Sequence, residues 1–258
     1  MRVQSPPSGP AAARPLTARG IVRRFGDLAV LDGVDLDVAP HETVALVGPS
    51  GCGKSTLLEM VCGLQAPDAG TLDAAPAALM PQRDLLLPWL DARDNVALPL
   101  RLAGSGRREA RAAADALLDR VELGRFARSR PDELSGGMRQ RVSFLRALAT
   151  ERELLCLDEP FGALDAITRE ELRHWLAERL EERPRSVLLV THDVEEAALL
   201  GDRVIVLGPR PAGVVARISV DAGPARRREA TDPAVVDARR RIHDALRTAM
   251  RGDEVAAT

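Results

Sequence analysis

The chain has 258 residues, with 36 Lys+Arg against 38 Asp+Glu and a formal net charge of −2, a balance that argues against a dedicated nucleic-acid binder. Hydrophobic residues make up 45%, enough to bury the core of one large α/β domain or of a core with a smaller subdomain, and no apolar run is long enough to span a bilayer. The three cysteines, Cys52, Cys62 and Cys156, fall in expected core elements or in a glycine loop, so they read as small buried side chains in a reducing compartment rather than a disulfide or zinc framework.

Residues 1–14 are Pro/Ala-rich, the composition of a flexible lead-in. They lack an apolar signal core, which predicts a protein that stays inside the cell. Strand-like runs follow at Leu16–Phe25 and Leu28–Val38. In the second, Val34, Leu36 and Val38 alternate with Asp35 and Asp37, as in a half-exposed antiparallel strand. Phe25, one of four phenylalanines in a chain without tyrosine, closes the first run at a turn, either as a hairpin core residue or as a stacking platform.

A short β-branched run, Thr43–Val47, then leads into Gly48-Pro49-Ser50-Gly51-Cys52-Gly53-Lys54-Ser55-Thr56. Every fixed position of the phosphate-binding pattern GxxxxGK[ST] is met, and a helix start follows at Leu57. Strand, glycine loop and helix is the context the pattern needs. A helix N-terminus offers unpaired N–H groups and a positive dipole end, and glycines let the backbone wrap phosphates. Lys54 would reach the β- and γ-phosphates, and the Ser55 hydroxyl would ligate Mg²⁺. Lys54 is the only lysine in the chain, placed where a compact ammonium differs chemically from a planar guanidinium.

Pro67–Gly70 reads as a turn, Thr71-Leu72 as the start of a short strand, and Ala77–Met80 as a strand ending at Pro81-Gln82. Residues 83–141 change character to a helical insertion, in which Ala110, Ala114, Leu117, Leu118 and Val121 line one face of a helix over Arg107–Val121. Leu134-Ser135-Gly136-Gly137 opens another helix with Ser135 as N-cap and Val142, Leu145, Leu148 and Ala149 on its buried face. Leu154–Leu157 is a buried strand that delivers Asp158 and Glu159 at its C-terminal end, where open α/β sheets bind ligands. It is expected to lie beside the phosphate-loop strand. A helix from Thr168 to about Glu182 follows, then a strand at Ser186–Val190 ending in Thr191-His192-Asp193. Closing strands at Val204–Leu207 and Val214–Val220 precede a basic Arg226-Arg227-Arg228 and a last helix with Pro233 near its first position. Val235, Ile242, Leu246 and Ala249 form its docking face.

The glycine loop, Gln82, Leu-Ser-Gly-Gly, Asp158-Glu159, Asp165 and His192, in this order, resemble the ATP-binding-cassette (ABC) ATPases over roughly residues 15–220. The resemblance implies a P-loop NTPase fold: a RecA-like α/β core, an antiparallel β subdomain, a helical subdomain at about 83–141, and a helical tail at 221–258. It implies ATP and Mg²⁺ as cofactors, with Phe25 stacking on adenine, residues 48–56 cradling the phosphates, and Ser55, Gln82 and Asp158 around the metal. Glu159 matches the catalytic base, and Gln82, Lys54 and His192 match groups that act at the γ-phosphate. Ser135, Gly136 and Gly137 match positions that complete the ATP pocket of a second subunit, which implies a head-to-tail homodimer, and Asp165 matches the end of the family's D-loop, counted among the nucleotide-binding positions. Met138 departs from the glutamine that ends the commonest signature spelling.

Residues 80–100 and Phe161–Ala166 are similar to the nitrate/sulfonate/taurine importer ATPases, and within that group to members importing hydroxymethylpyrimidine-type thiamine precursors. The partners so implied are integral membrane permease subunits and, indirectly, an exported solute-binding protein, with no nucleic acid, at the cytoplasmic face of the membrane. Leu85–Leu90 reads either as part of a socket for a permease helix or as core of the helical insertion. A GTPase would need an Asn-Lys-x-Asp motif, impossible when Lys54 is the sole lysine. The alternative of another class is an ABC ATPase regulating or powering a different membrane complex, such as an exporter or division machinery.

Overall fold

A computed structural model describes residues 15–256; the expected lead-in at 1–14 lies outside the described residues. The strands in chain order are β1 (Leu16–Phe25), β2 (Leu28–Val38), β3 (Thr43–Val47), β4 (Ala69–Ala74), β5 (Ala77–Met80), β6 (Leu154–Asp158), β7 (Ser186–Val190), β8 (Arg203–Leu207) and β9 (Val214–Ser219). The helices are α1 (Lys54–Val61), α2 (Ala92–Leu102), α3 (Arg107–Arg120), α4 (Gly136–Leu148), α5 (Ala166–Glu182), α6 (Val194–Leu200) and α7 (Pro233–Ala256). Among the described residues no helix is long and apolar enough to cross a membrane.

β1 and β2 form an antiparallel hairpin in which Phe25 pairs with Leu28 and Leu16 with Val38, and β4 adds to the other edge of β1. The alternation in β2 does what its pattern requires: Val34, Leu36 and Val38 are buried and Asp35 is exposed. The second sheet has the order β5-β6-β7-β3-β8-β9, parallel except for β9. β3, β6 and β7 are buried at every residue, because helices or the first sheet cover both of their faces.

The order corrects one expectation. β6, which carries Asp158, is not the neighbour of the phosphate-loop strand: β7 lies between β6 and β3. All three are short, buried runs of four apolar residues with one polar residue at an end, and nothing in their composition ranks them across a sheet. Being parallel, they still end at one edge, so the phosphate loop, the two carboxylates and the His192 turn arrive on the same side.

Three apolar clusters hold this edge in place. One joins β1 and β2 to α1 and one face of the second sheet through Leu31, Leu46, Leu57, Leu58 and Ile205. Another packs α7, through Val235, Ala238 and Ile242, on α6 and β8. The largest ties the helical insertion to the core. There Phe144 meets Phe161 and Trp175 edge-on, with ring centroids 5.8 and 6.0 Å apart. The insertion also contains α2, a helix the pattern did not announce because Pro99 sits inside it. Asp91 caps α2 by accepting from the Asp94 N–H at 2.7 Å. Asp94 in turn receives two hydrogen bonds from Arg111 of α3, at 2.7 and 2.6 Å. Cys52 and Cys156 are buried, Cys62 is half-buried, and all three are free thiols.

Candidate active site

The phosphate loop is built by positive-φ glycines and one tethered ammonium. Gly53, the residue before α1, has φ +113, and a Cβ there would stand 2.8 Å from side-chain atoms of both Val30 and Leu31. Only glycine meets both demands. Lys54 is 8% exposed, and its Nζ donates to the carbonyls of Gly48 (2.8 Å) and Pro49 (2.9 Å). The ammonium is therefore held against its own loop, at the mouth of a cavity of about 370 Å³. Phe25, Ser50, Gly51, Gly53, Lys54, Ser55, Thr56, Gln82, Asp158 and Glu159 line that cavity together with Arg210.

At the end of β6, Asp158 is 4% exposed. Burial raises its carboxyl above the usual carboxylate range, and a hydrogen bond from Ser55 opposes that shift. Glu159 follows with φ +48, a conformation unusual for a residue with a Cβ. Its backbone is fixed from two sides: its N–H donates to the Val190 carbonyl (2.8 Å), and its own carbonyl accepts from Gln140 Nε2 (2.7 Å). Its carboxylate receives Gln82 Nε2 at 3.1 Å on one oxygen and lies 3.2 Å from His192 Nδ1 on the other. Two groups assigned from distant stretches of sequence, Gln82 and His192, thus meet on the carboxylate of a third, Glu159.

Gln140 was not singled out by the sequence reading. It is 7% exposed, and its Oε1 also accepts the Ala163 N–H at 2.8 Å, so it clips the Glu159 turn to the Gly162-Ala163 loop. A signal was present: Gln140 lies one turn before Phe144, on the inward face of α4, where a polar residue needs an internal partner.

Phe25 is 46% exposed, so it is not a core residue. The Arg23 guanidinium, held by Asp68, Gln65 and the Ala66 carbonyl, lies 4.7 Å from the Phe25 ring centroid. Trp89 and Leu85 are 67% and 61% exposed, whereas Leu86 is buried.

Ser135, Gly136, Gly137 and Asp165 do not line the cavity of the phosphate loop. The Ser135 hydroxyl caps α4 by accepting the Met138 N–H at 3.3 Å. Asp165 caps α5, accepting the N–H and hydroxyl of Thr168 at 3.1 and 2.8 Å, which holds its carboxyl below the usual range. Gly136 lines a neighbouring cavity of about 660 Å³ with Gln82, Glu159, Gly162 and Ala163. One chain therefore presents phosphate loop, Gln82 and both carboxylates together, with Ser135 and Asp165 apart from them.

A strand-loop-helix phosphate cradle beside paired carboxylates defines a P-loop nucleotide hydrolase. Residues 31–162 match the ABC transporter family. The chain is 45% identical over 225 residues to the aliphatic sulfonates import ATP-binding protein SsuB 2 of Xanthomonas axonopodis pv. citri, covering 84% of this chain and 75% of that one. It is 43% identical to the taurine import ATP-binding protein TauB of Burkholderia thailandensis, covering 86% of this chain and 90% of that one. It is 42% identical to the formylaminopyrimidine import ATP-binding protein ThiZ of Halalkalibacterium halodurans, covering 79% and 83%. Among solved structures, the dimeric post-hydrolysis state of the ATP-binding cassette MJ0796 bound to ADP and Pi superposes with a TM-score of 0.73 at 30% identity, covering 79% of this chain and 98% of that one. The chain belongs to the ABC transporter ATP-binding family.

Proposed function

We propose that this chain is the ATP-hydrolysing subunit of a membrane importer for a small sulfonate, taurine-like or pyrimidine compound. The observation that carries the hydrolytic half is the meeting of Gln82 and His192 on the Glu159 carboxylate, at the cavity of the phosphate loop. The importer half rests on identities of 42–45% to import ATP-binding proteins.

In this reading adenine stacks on the Phe25 face opposite Arg23, and the loop N–H groups of residues 48–56 bind the phosphates. Lys54 exchanges its carbonyl partners for β- and γ-phosphate oxygens. Glu159 accepts the proton of the attacking water, while Gln82 and His192 orient its carboxylate and contact the γ-phosphate. The hydroxyl of Ser55, the carboxylate of Asp158 and the amide oxygen of Gln82 are hard oxygen donors, the chemistry that suits Mg²⁺. When bound, Mg²⁺ supplies charge neutralisation for the phosphates.

Ser135, Gly136 and Gly137 serve the nucleotide of a second copy, and Asp165 the phosphate loop of that copy, in a head-to-tail dimer with two shared sites. Leu85 and Trp89 form part of the surface that receives the permease at the cytoplasmic face of the membrane, next to Gln82 in the chain. An exported solute-binding protein acts through that permease.

Glu159→Gln tests the chemistry, because it keeps shape and removes basicity. Phosphate release should fall by roughly a hundredfold or more, while Mg-ATP binding persists and a closed dimer accumulates. Near-normal turnover would remove Glu159 from the role of base.

A further inference from the structure

Arg210 stands on the cavity wall beside the phosphate loop, yet no motif drew attention to it. It lies in the short connection between β8 and β9, flanked by Pro209 and Pro211, whose rings restrict the backbone on both sides. The connection is tied down at its base. Gly208 donates to the Gly213 carbonyl at 3.0 Å, Ala212 donates to Val30 at 2.9 Å, and Asp32 donates to Ala212 at 3.0 Å. Arg210 is thus presented by a pinned loop that rides on β2.

Its guanidinium lies over the tip of the phosphate loop: a Cβ built on Gly51 would stand 3.4 Å from Arg210 Nη2. Burial pushes the Cys52 thiol up, and Lys54 and, to a smaller degree, Arg210 oppose that shift. Several partly buried arginines of the fold are ion-paired, among them Arg23 with Asp68, Arg111 with Asp94, Arg139 with Asp84, Arg203 with Glu42 and Asp37, and Arg228 with Asp202. Among the described residues no carboxylate forms an ion pair with Arg210. The Phe25 side of the cavity has its own cation, Arg23. Asp158 and Glu159 also face this cavity, so a polyphosphate entering it meets two carboxylates against the single ammonium of Lys54.

We infer that Arg210 is a second cationic contact to the nucleotide's polyphosphate, meeting it from the Gly51 side of the loop. A guanidinium offers a planar fork of donors matched to phosphate oxygens, and a pinned loop loses little freedom on using it. The inference rests on the reading of this cavity as the ATP site, and it makes Arg210 a determinant of selectivity by phosphate number.

The test uses the purified full chain with Mg²⁺ and measures the affinities of ATP, ADP and AMP by competition against a fluorescent ATP analogue. Wild type, Arg210→Gln, Arg210→Lys and Lys54→Ala are compared, with a thermal melt of each. Arg210→Gln should weaken ATP and ADP by about tenfold and AMP by less than twofold. Arg210→Lys should recover part of the loss, and the salt dependence of ATP binding should flatten in Arg210→Gln. An unchanged ATP affinity in a folded Arg210→Gln overturns the inference. So does an equal loss for all three nucleotides, which would place the arginine on the base. A defect confined to ATP-driven dimerisation also overturns it, by placing the arginine against a second copy. If wild type itself fails to bind ATP, or Lys54→Ala binds as well as wild type, the reading of the cavity fails first.

Discussion

Replacing Gln140 by Leu removes the two hydrogen bonds that hold the Glu159 turn, at 2.7 Å to the Glu159 carbonyl and 2.8 Å from the Ala163 N–H. Each contributes about 1 kcal/mol net. Ala163 is exposed and can turn its N–H to water, whereas Gln140 is 7% exposed and a leucine there regains part of the loss by burial. A net cost of about 1–2 kcal/mol follows, which for a chain of this size lowers Tm by roughly 2–8 °C. The catalytic consequence should be larger. Glu159 sits at φ +48, a conformation costing of order 1–3 kcal/mol that persists only where surroundings enforce it. Freed of the clip, the residue relaxes and its carboxylate leaves Gln82 and His192. Misplacement by about 1 Å can cost a hundredfold, so kcat should drop by at least about tenfold while ATP affinity stays within about twofold. Phosphate release under saturating ATP, nucleotide titration and a thermal melt read the three quantities. If kcat is retained in a Gln140→Leu protein with a lowered Tm, the clip is structural only and the reasoning from strain is wrong.

Ser135→Arg should block ATP-driven dimerisation, read by light scattering, and leave nucleotide affinity of the single chain intact; Lys54→Ala should weaken that affinity itself. Trp89→Ala should cost about 1 kcal/mol in a denaturant melt, since only a third of the side chain is covered, against roughly 3–5 kcal/mol for a core tryptophan. Its basal ATPase should be retained and its assembly with the permease lost; a core-sized loss of stability would reject the docking role. Asp94 is held below the usual carboxylate range by the hydrogen bond from Arg111, so its contribution is present above the ordinary carboxylate pKa and disappears as pH falls through the depressed one. Thermal melts of wild type and Asp94→Asn should therefore differ at neutral pH and converge as pH is lowered below about 4.

Local pattern carried far where one face or one backbone demand decides the residue. The hairpin strands Leu16–Phe25 and Leu28–Val38 appear with those bounds, because β-branched runs, the alternation in the second and a Phe-Gly turn mark them locally, whereas the shifts in their pairing register near Ile21 and Arg23 had no local signal. The glycine loop was legible for a related reason: φ +113 at Gly53 next to the packed side chains of Val30 and Leu31 excludes any Cβ. Strand order was not legible. Thr43–Val47, Leu154–Leu157 and Ser186–Val190 are equivalent buried runs, and their ranking is set by the helices that cross over them. α2 was hidden by Pro99, a breaker tolerated in a helix capped by Asp91 and anchored by the Asp94–Arg111 pair. Gln140 and Arg210 escaped for opposite reasons, one a polar residue inside an apolar helix face, the other an arginine among many.

The chemistry of the caps separates the two groups assigned to a second copy's pocket. The Ser135 oxygen accepts the Met138 N–H, but a hydroxyl is also a donor, and its hydrogen stays available to a phosphate. Capping α4 and binding a γ-phosphate are therefore compatible, and the N–H groups of Gly136 and Gly137 at the same helix start add to the attraction. Asp165 has no such second capacity. It is an acceptor only, already serves the N–H and hydroxyl of Thr168, and its carboxyl is held low, so it stays ionised. A charge of that sign repels phosphate oxygens. If Asp165 reaches across a dimer, its partner must be a donor on the opposing loop, such as the Ser50 hydroxyl or a loop N–H, and it positions the phosphate loop rather than the nucleotide. Asp165→Asn should then leave ATP affinity of the single chain unchanged and weaken the ATP-bound dimer, because an amide keeps one acceptor but loses the charge that makes a hydrogen bond to it strong.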